Sequence, residues 1–367
     1  MSHQELPRDC DGCEPADGSN DSAIRRPSHV RAGGFKGVYT LGTYRDEAPN
    51  TTGSWHPLPQ YDNAPPDPEQ PQGEPLPIDL GGPTSYYASK SFYDSAKHRR
   101  LVWAWIRLGG QALEAFDEDG RLYEGFHAGG CPGIGSVMTN CNSMPREVTY
   151  DPQLQRLNFF PIPELAALRG AVLGSVPPHT AVAPGAPVTL TTDPGVLQSE
   201  MRVAFALPTE SLRVGVTLLA NSHGGRTVIY IDFVPKHPDD DEGLVWNVTA
   251  GVDQASFQCP NYVRREPPPS LTNRTACPTH NATLPLKATD RSLDIAVWSD
   301  NLFLEIFLMG GRLAFTVPLP CEAIVGGAGA TAFVEGGRQA KAERLNATIW
   351  RMGGLKYENT GAPDNRS

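Results

Sequence analysis

Asp300, Glu305 and Arg312 are the residues of this chain that look catalytic by type, set in the pattern D-x4-E-x-F-x2-GGR through Phe307, Gly310 and Gly311. Other groupings carry weaker chemistry. Cys10-x2-Cys13 has metal-ligand spacing, but no second such pair follows, so no metal is expected there. The acidic run HPDDDEG over 237–243 lacks the alternating ligand spacing of a calcium loop and reads as an exposed turn. The glycine-rich HAGGCPGIG over 127–135 fits no phosphate-loop spacing and no amphipathic helix follows it, so it too reads as a turn. Lys97-His98-Arg99-Arg100 is the one basic run, read as a solvated hairpin turn. None of these implies a cofactor.

Composition narrows the partners. The net charge is −10 with no basic patch beyond that run, which argues against nucleic acid and anionic membranes. No apolar run approaches the ~20 residues of a membrane span. The first 29 residues are polar and acidic and do not read as a signal peptide. Yet seven of the fifteen asparagines sit in N-x-S/T sequons, at Asn20, Asn50, Asn247, Asn273, Asn281, Asn346 and Asn365, where chance would supply about two. That excess favours exposure to a secretory lumen. Seven cysteines leave at least one unpaired. Cys259 and Cys277 bracket a proline-rich loop and are the expected disulfide, with Cys131 and Cys141 the next pairing.

The elements that must position these residues are strands. Thirty-seven glycines and 35 prolines indicate many turns, as in all-β architectures. Residues 85–106, SYYASKSFYDSAKHRRLVWAWI, are a hairpin by their β-branched and aromatic alternation around a charged turn. Further strands are predicted at 36–44, 121–126, 145–150 and 156–160, with a short helical connector over 163–170. From 186 onward alternation recurs at sandwich spacing, at 188–192, 201–207, 212–219, 227–233, 292–298, 302–308, 313–317 and 342–350. The predicted organisation is a disordered leader over 1–30, a blade-bearing region over 31–165 with a proline-rich surface insertion at 45–84, a linker over 166–185, a β-sandwich over 186–353 and a tail over 354–367.

The hairpin, then Ser143-Met144-Pro145-Arg146-Glu147-Val148, then Pro161-Ile162-Pro163-Glu164-Leu165 with Leu168-Arg169, resemble in that order glycoside hydrolase family 32, the acid invertases and other β-fructofuranosidases. Val38–Tyr44, the 300–312 pattern and Ala347–Met352 extend the resemblance over about residues 36–353. It implies the last-blade region of a partial five-bladed β-propeller followed by a C-terminal β-sandwich. It implies Tyr87, Lys90 and Trp105 as one wall of a sugar site, sucrose or fructan as ligand, and a secreted or vacuolar parent protein. It also makes Asp300, Glu305 and Arg312 a recurrent ion-paired cluster, not a catalytic one.

The family's WMNDPNG-like and RDP motifs do not occur here, and Cys13-Glu14-Pro15-Ala16-Asp17 is only a shuffled ECPD. A retaining glycosidase needs two carboxylates about 5 Å apart. The chain is therefore expected to be a fragment, inactive alone, with no catalytic residue of its own. Two alternatives stay open: a lectin-like carbohydrate-binding module, and a subunit that docks on a propeller-containing chain through the exposed flank of its solitary blade.

Overall fold

A computed structural model describes residues 3–5, 29–33, 37–45, 54–58, 76–81, 86–107, 140–208, 210–235, 246–260, 274–336 and 343–353. The predicted strand 121–126, the turns at 127–135 and 237–243, Cys10, Cys13, Cys131 and Asn273 lie outside these residues.

The described chain is all-β, with four blade-like antiparallel sheets. Sheet one holds β1 (His3–Glu5), β2 (His29–Gly33), β3 (Val38–Arg45) and β4 (Ser54–Pro57), with β5 (Leu76–Pro77) also on β3. Sheet two holds β6 (Tyr87–Asp94), β7 (Arg99–Arg107), β8 (Asn140–Asn142), β9 (Arg146–Asp151) and β10 (Arg156–Pro161).

Sheet three runs β11 (Arg169–Val182), β24 (Glu343–Met352), β13 (Gln198–Ala206), β20 (Ser292–Asp300), β21 (Phe303–Leu308), β22 (Leu313–Pro318). Sheet four runs β12 (Val188–Thr191), β23 (Ala328–Gly336), β14 (Leu212–Ala220), β15 (Thr227–Pro235), β16 (Trp246–Asp253), β19 (Thr279–Thr283). The pair β17 (Gln258–Pro260) and β18 (Arg274–Ala276), two 3-10 helices at Pro163–Leu168, where a helical connector was expected, and Pro194–Leu197, and a short helix α1 (Cys321–Gly326) complete the described set.

Period-two alternation explains sheets three and four. In β15 Ile229, Ile231 and Phe233 are fully buried, while Val228, Tyr230 and Asp232 take the other face. The inward sets of both sheets meet in one apolar cluster, from Val203, Phe205, Ile295 and Val297 on one side to Val214, Val216, Ile229 and Ile231 on the other.

Three expectations need correction. Residues 169–182, expected within a linker, form β11, a 14-residue strand laddered on β24. Its Pro177-Pro178-His179 segment hides it from a pattern reading, and the ladder absorbs this as a register shift between Val176 and Thr180. The leader is not wholly irregular, because His3–Glu5 pairs with β2. The proline-rich insertion does support pairing at β4 and β5, with Pro57 and Pro77 at strand ends or edges, where a missing donor is tolerated.

The blade's flank is covered within the chain. Val102 and Ala104 pack with Tyr39, Leu41, Ile78 and Phe159, Ile106 meets Phe303, and Phe160 with Met144 lies on Trp298 and Phe307 of sheet three. The exposed hydrophobic flank expected to seek another polypeptide is thus largely an internal seam, and nothing supports docking on a propeller-containing chain. Among the described residues no helix is long and apolar enough to cross a membrane.

Candidate functional site

Tyr87, Lys90 and Trp105 are three residues and one strand apart in sequence, and the hairpin brings them to one face. Tyr87 is the ladder partner of Trp105, and their rings meet edge to face at 6.0 Å. In a regular strand Tyr87 and Lys90 would point to opposite faces, being an odd number apart. A register shift between them, at the positive φ of Ala88 (49°), resets the alternation so that Lys90 pairs with Trp103. Phe92 continues the face, 5.2 Å from Trp103. Asn142 of β8 pairs with Trp105 from the other side, giving an aromatic–aromatic–amide row across three strands.

Trp105 is 41% exposed and Phe92 44%, unusual for rings of this size in a sheet. Such a row offers apolar faces to sugar C–H groups, with the Lys90 ammonium and Asn142 amide available to hydroxyls. Asn142 was missed by sequence reading, because its place beside Trp105 depends on β8 returning to β7.

Glu305, Asp300 and Arg312 do not form one cluster. Glu305 is fully buried and accepts from Arg146 Nη2 at 2.7 Å and from the Met144 amide at 2.7 Å. Arg146 Nη1 lies 2.9 Å from Asp79 Oδ2, and Nη2 also donates to Thr316 Oγ1 at 2.8 Å. Asp79 accepts from the amides of Gly81 and Thr316 and from the Thr316 hydroxyl. The guanidinium is stacked over Tyr86 at 4.2 Å and Phe307 at 4.7 Å.

Burial pushes the Glu305 carboxyl above its usual range despite Arg146, and it pushes the Tyr86 hydroxyl up to about 12. Two carboxylates do face each other here, but the guanidinium fills the space between them and all three side chains are 0–1% exposed. Substrate has no access.

Arg312 instead grips Asp290 with two bonds of 2.6 and 2.8 Å, and Asp300 accepts from Asn301. Lys97 and Arg99 are not simply solvated: both close on Glu164, and Arg99 also bonds Asp94. The Glu164 carboxyl is held down at about 2 by Arg99 and Lys97.

Cys141 is a free, half-buried thiol against Ile106 and Phe303, so the Cys131–Cys141 pairing fails. Cys277 is buried, and Cys259 sits on the neighbouring strand, opposite Thr275. Asn247, Asn281 and Asn346 are all exposed. Among the described residues no group of three His, Cys, Asp or Glu side chains could hold a metal ion.

The described fold is thus all-β, with an exposed aromatic row on one of its antiparallel sheets. No family model matches it. It is 31% identical over 134 residues to a β-fructofuranosidase, insoluble isoenzyme 2, of Oryza sativa subsp. indica, covering 36% of this chain and 16% of that protein. It is 26% identical over 342 residues to the vacuolar acid β-fructofuranosidase 4 of Arabidopsis thaliana, covering 86% and 44%. The fold is similar to a fructan 1-exohydrolase IIa variant of Cichorium intybus crystallised in complex with 1-kestose, with a TM-score of 0.61 at 18% identity over 89% of this chain and 57% of that one. The chain thus spans well under two thirds of the length of these relatives. These likenesses support a place in glycoside hydrolase family 32.

Proposed function

We propose that this chain is the scaffold and one substrate wall of a β-fructofuranosidase-like glycoside hydrolase, acting on terminal β-fructosides such as sucrose or fructans only together with carboxylates that these residues do not supply. Sheets one and two are read as parts of a five-bladed propeller, and sheets three and four as the β-sandwich that follows it. The observation that carries the substrate-wall reading is the row Tyr87–Trp105–Asn142 with Lys90 reset onto the same face. A saccharide lying across the rings would gain stacking on Trp105 and donors from Lys90.

The inactivity reading rests on where the described carboxylates are. Asp79 and Glu305 are closed off by Arg146, and Asp232 gives both oxygens to Arg213. A nucleophile and an acid need free oxygens at a solvent-reached pair. The parent is read as a secretory or vacuolar glycoprotein, with Asn247, Asn273, Asn281 and Asn346 as acceptors and Cys259–Cys277 as its disulfide.

The test combines turnover and binding. Purified chain incubated with sucrose, 1-kestose and inulin should release no fructose above a buffer blank, and release would overturn the inactive reading. Calorimetric titration with 1-kestose should give measurable heat that Trp105→Ala abolishes. Equal heat from that variant would remove the aromatic row from the site.

A further inference from the structure

The outer face of sheet four carries a second built surface. Two rows of ladder partners run side by side across its strands. One reads Phe333, Gly215, Tyr230, Gly251, Asn281, and the other reads Glu335, Arg213, Asp232, Thr249, Thr283. The glycines make room: a Cβ on Gly215 would lie 2.7 Å from the Phe333 ring, and one on Gly251 would lie 2.7 Å from the Tyr230 hydroxyl. Tyr230 can therefore lie flat in the sheet surface, hydrogen-bonded to the Asn281 side chain, with the Arg213 guanidinium 4.3 Å above its ring.

Arg213 in turn holds Asp232 by two bonds of 2.6 and 2.8 Å, and this ion pair stays 33–39% exposed. Above it opens a groove of about 700 Å³, bounded also by Val234, Thr249 and Glu335. That is within the ~300–1,000 Å³ of small-ligand sites, and its lining mixes apolar surface with a few fixed polar groups.

An independent observation says what fills it. The sequon Asn281-Ala282-Thr283 lies on the edge strand β19, and extended pleating puts Asn281 and Thr283 on the groove face with Ala282 turned inward. The second sequon, Asn247–Thr249, brings its threonine to the same groove. Asn346–Thr348 lies on the other six-stranded sheet.

We propose that the groove is the seat of an N-linked glycan carried by Asn281. This rests on the lumenal reading above. In the transfer, Asn281 Nδ2 displaces a lipid diphosphate from C1 of the oligosaccharide donor. The N–C1 bond forms as C1–O breaks, and one amide proton leaves to the transferring enzyme. The first sugar units then lie along the Arg213–Asp232 pair, whose exposed edges suit hydroxyl groups, with Val234 against their C–H faces. The attached chain would cover the groove and shield the open edge of β19 from pairing.

The experiment is secretion of the full chain from a eukaryotic host behind a cleavable signal, followed by site-resolved glycopeptide mass spectrometry and a time course of N-glycanase release from the native protein. Asn281 should be occupied, and its glycan should leave about tenfold more slowly than that on Asn346, a difference worth ~1.4 kcal/mol. Arg213→Ala and Asp232→Asn should each erase the difference, and unfolding should equalise all sites. A bare Asn281 beside an occupied Asn346, or equal native release rates, overturns the proposal and leaves the lumenal reading standing. Bare sites throughout overturn both. Binding of free chitobiose or 1-kestose in this groove by chain with a bare Asn281 would assign it to an external saccharide instead.

Discussion

Arg146 and Arg213 are built from the same parts and do opposite work. Each guanidinium lies over a tyrosine ring, at 4.2 Å for Tyr86 and 4.3 Å for Tyr230, and each grips a carboxylate. Arg146 is fully buried at the seam of sheets two and three and neutralises two acids from segments 226 residues apart, Asp79 and Glu305. Arg213 sits in solvent on the outside of sheet four with Asp232. Solvent decides the difference. A buried charge without its partner carries its whole desolvation cost, whereas an exposed pair is screened and adds little. The first is a lock, the second a handle for polar ligands.

The sharpest way to break the comparison is Arg146→Met, which strands Asp79 and Glu305 without a counter-charge. Chemical denaturation should show a loss of about 3–5 kcal/mol, or no folded protein at all. A loss below about 1 kcal/mol would mean the seam does not depend on the charge cluster. Next comes Gly311→Ala at the same seam. Gly311 has φ +88°, its carbonyl accepts from the Phe159 amide, and a Cβ there would lie 2.2 Å from the Phe159 oxygen. The expected loss is about 2 kcal/mol or more.

A third case falls between lock and handle. Burial alone would raise the Glu200 carboxyl, but Arg169 and Arg202 outweigh it and hold it below its usual range. A depressed folded pKa contributes stability above the unfolded value of about 4.3 and loses it as pH falls through the folded value. Glu200→Gln should cost about 1–2 kcal/mol at pH 7 and shallow the decline in stability below pH 4. An unchanged acid profile would remove Glu200 from that account. The smallest effect should come from Arg213→Ala, under about 1 kcal/mol in denaturant. A larger loss would erase the contrast between the two arginines.

Much of this was legible beforehand. The strands at 188–192, 212–219, 227–233 and 313–317 were marked by alternation, and each appears within a few residues of its predicted place, the last of them buried on both faces. The family pattern also led to Glu305 and Arg146, but not to their meeting. Asp79 was unreadable, since it sits among prolines in a segment that looked like surface. Lys90 is the instructive case, because counting residues puts it opposite Tyr87 and only the irregularity at Ala88 returns it.

The sequence by itself determined the all-β class, the strand faces and the residue types on each, because side-chain alternation and turn chemistry are local. Tertiary structure decided which arginine is dry and which is wet, and which aromatic rows stay open. Burial is a property of what comes to lie on top of a residue, and here the covering segments arrive from more than 150 positions away in the chain.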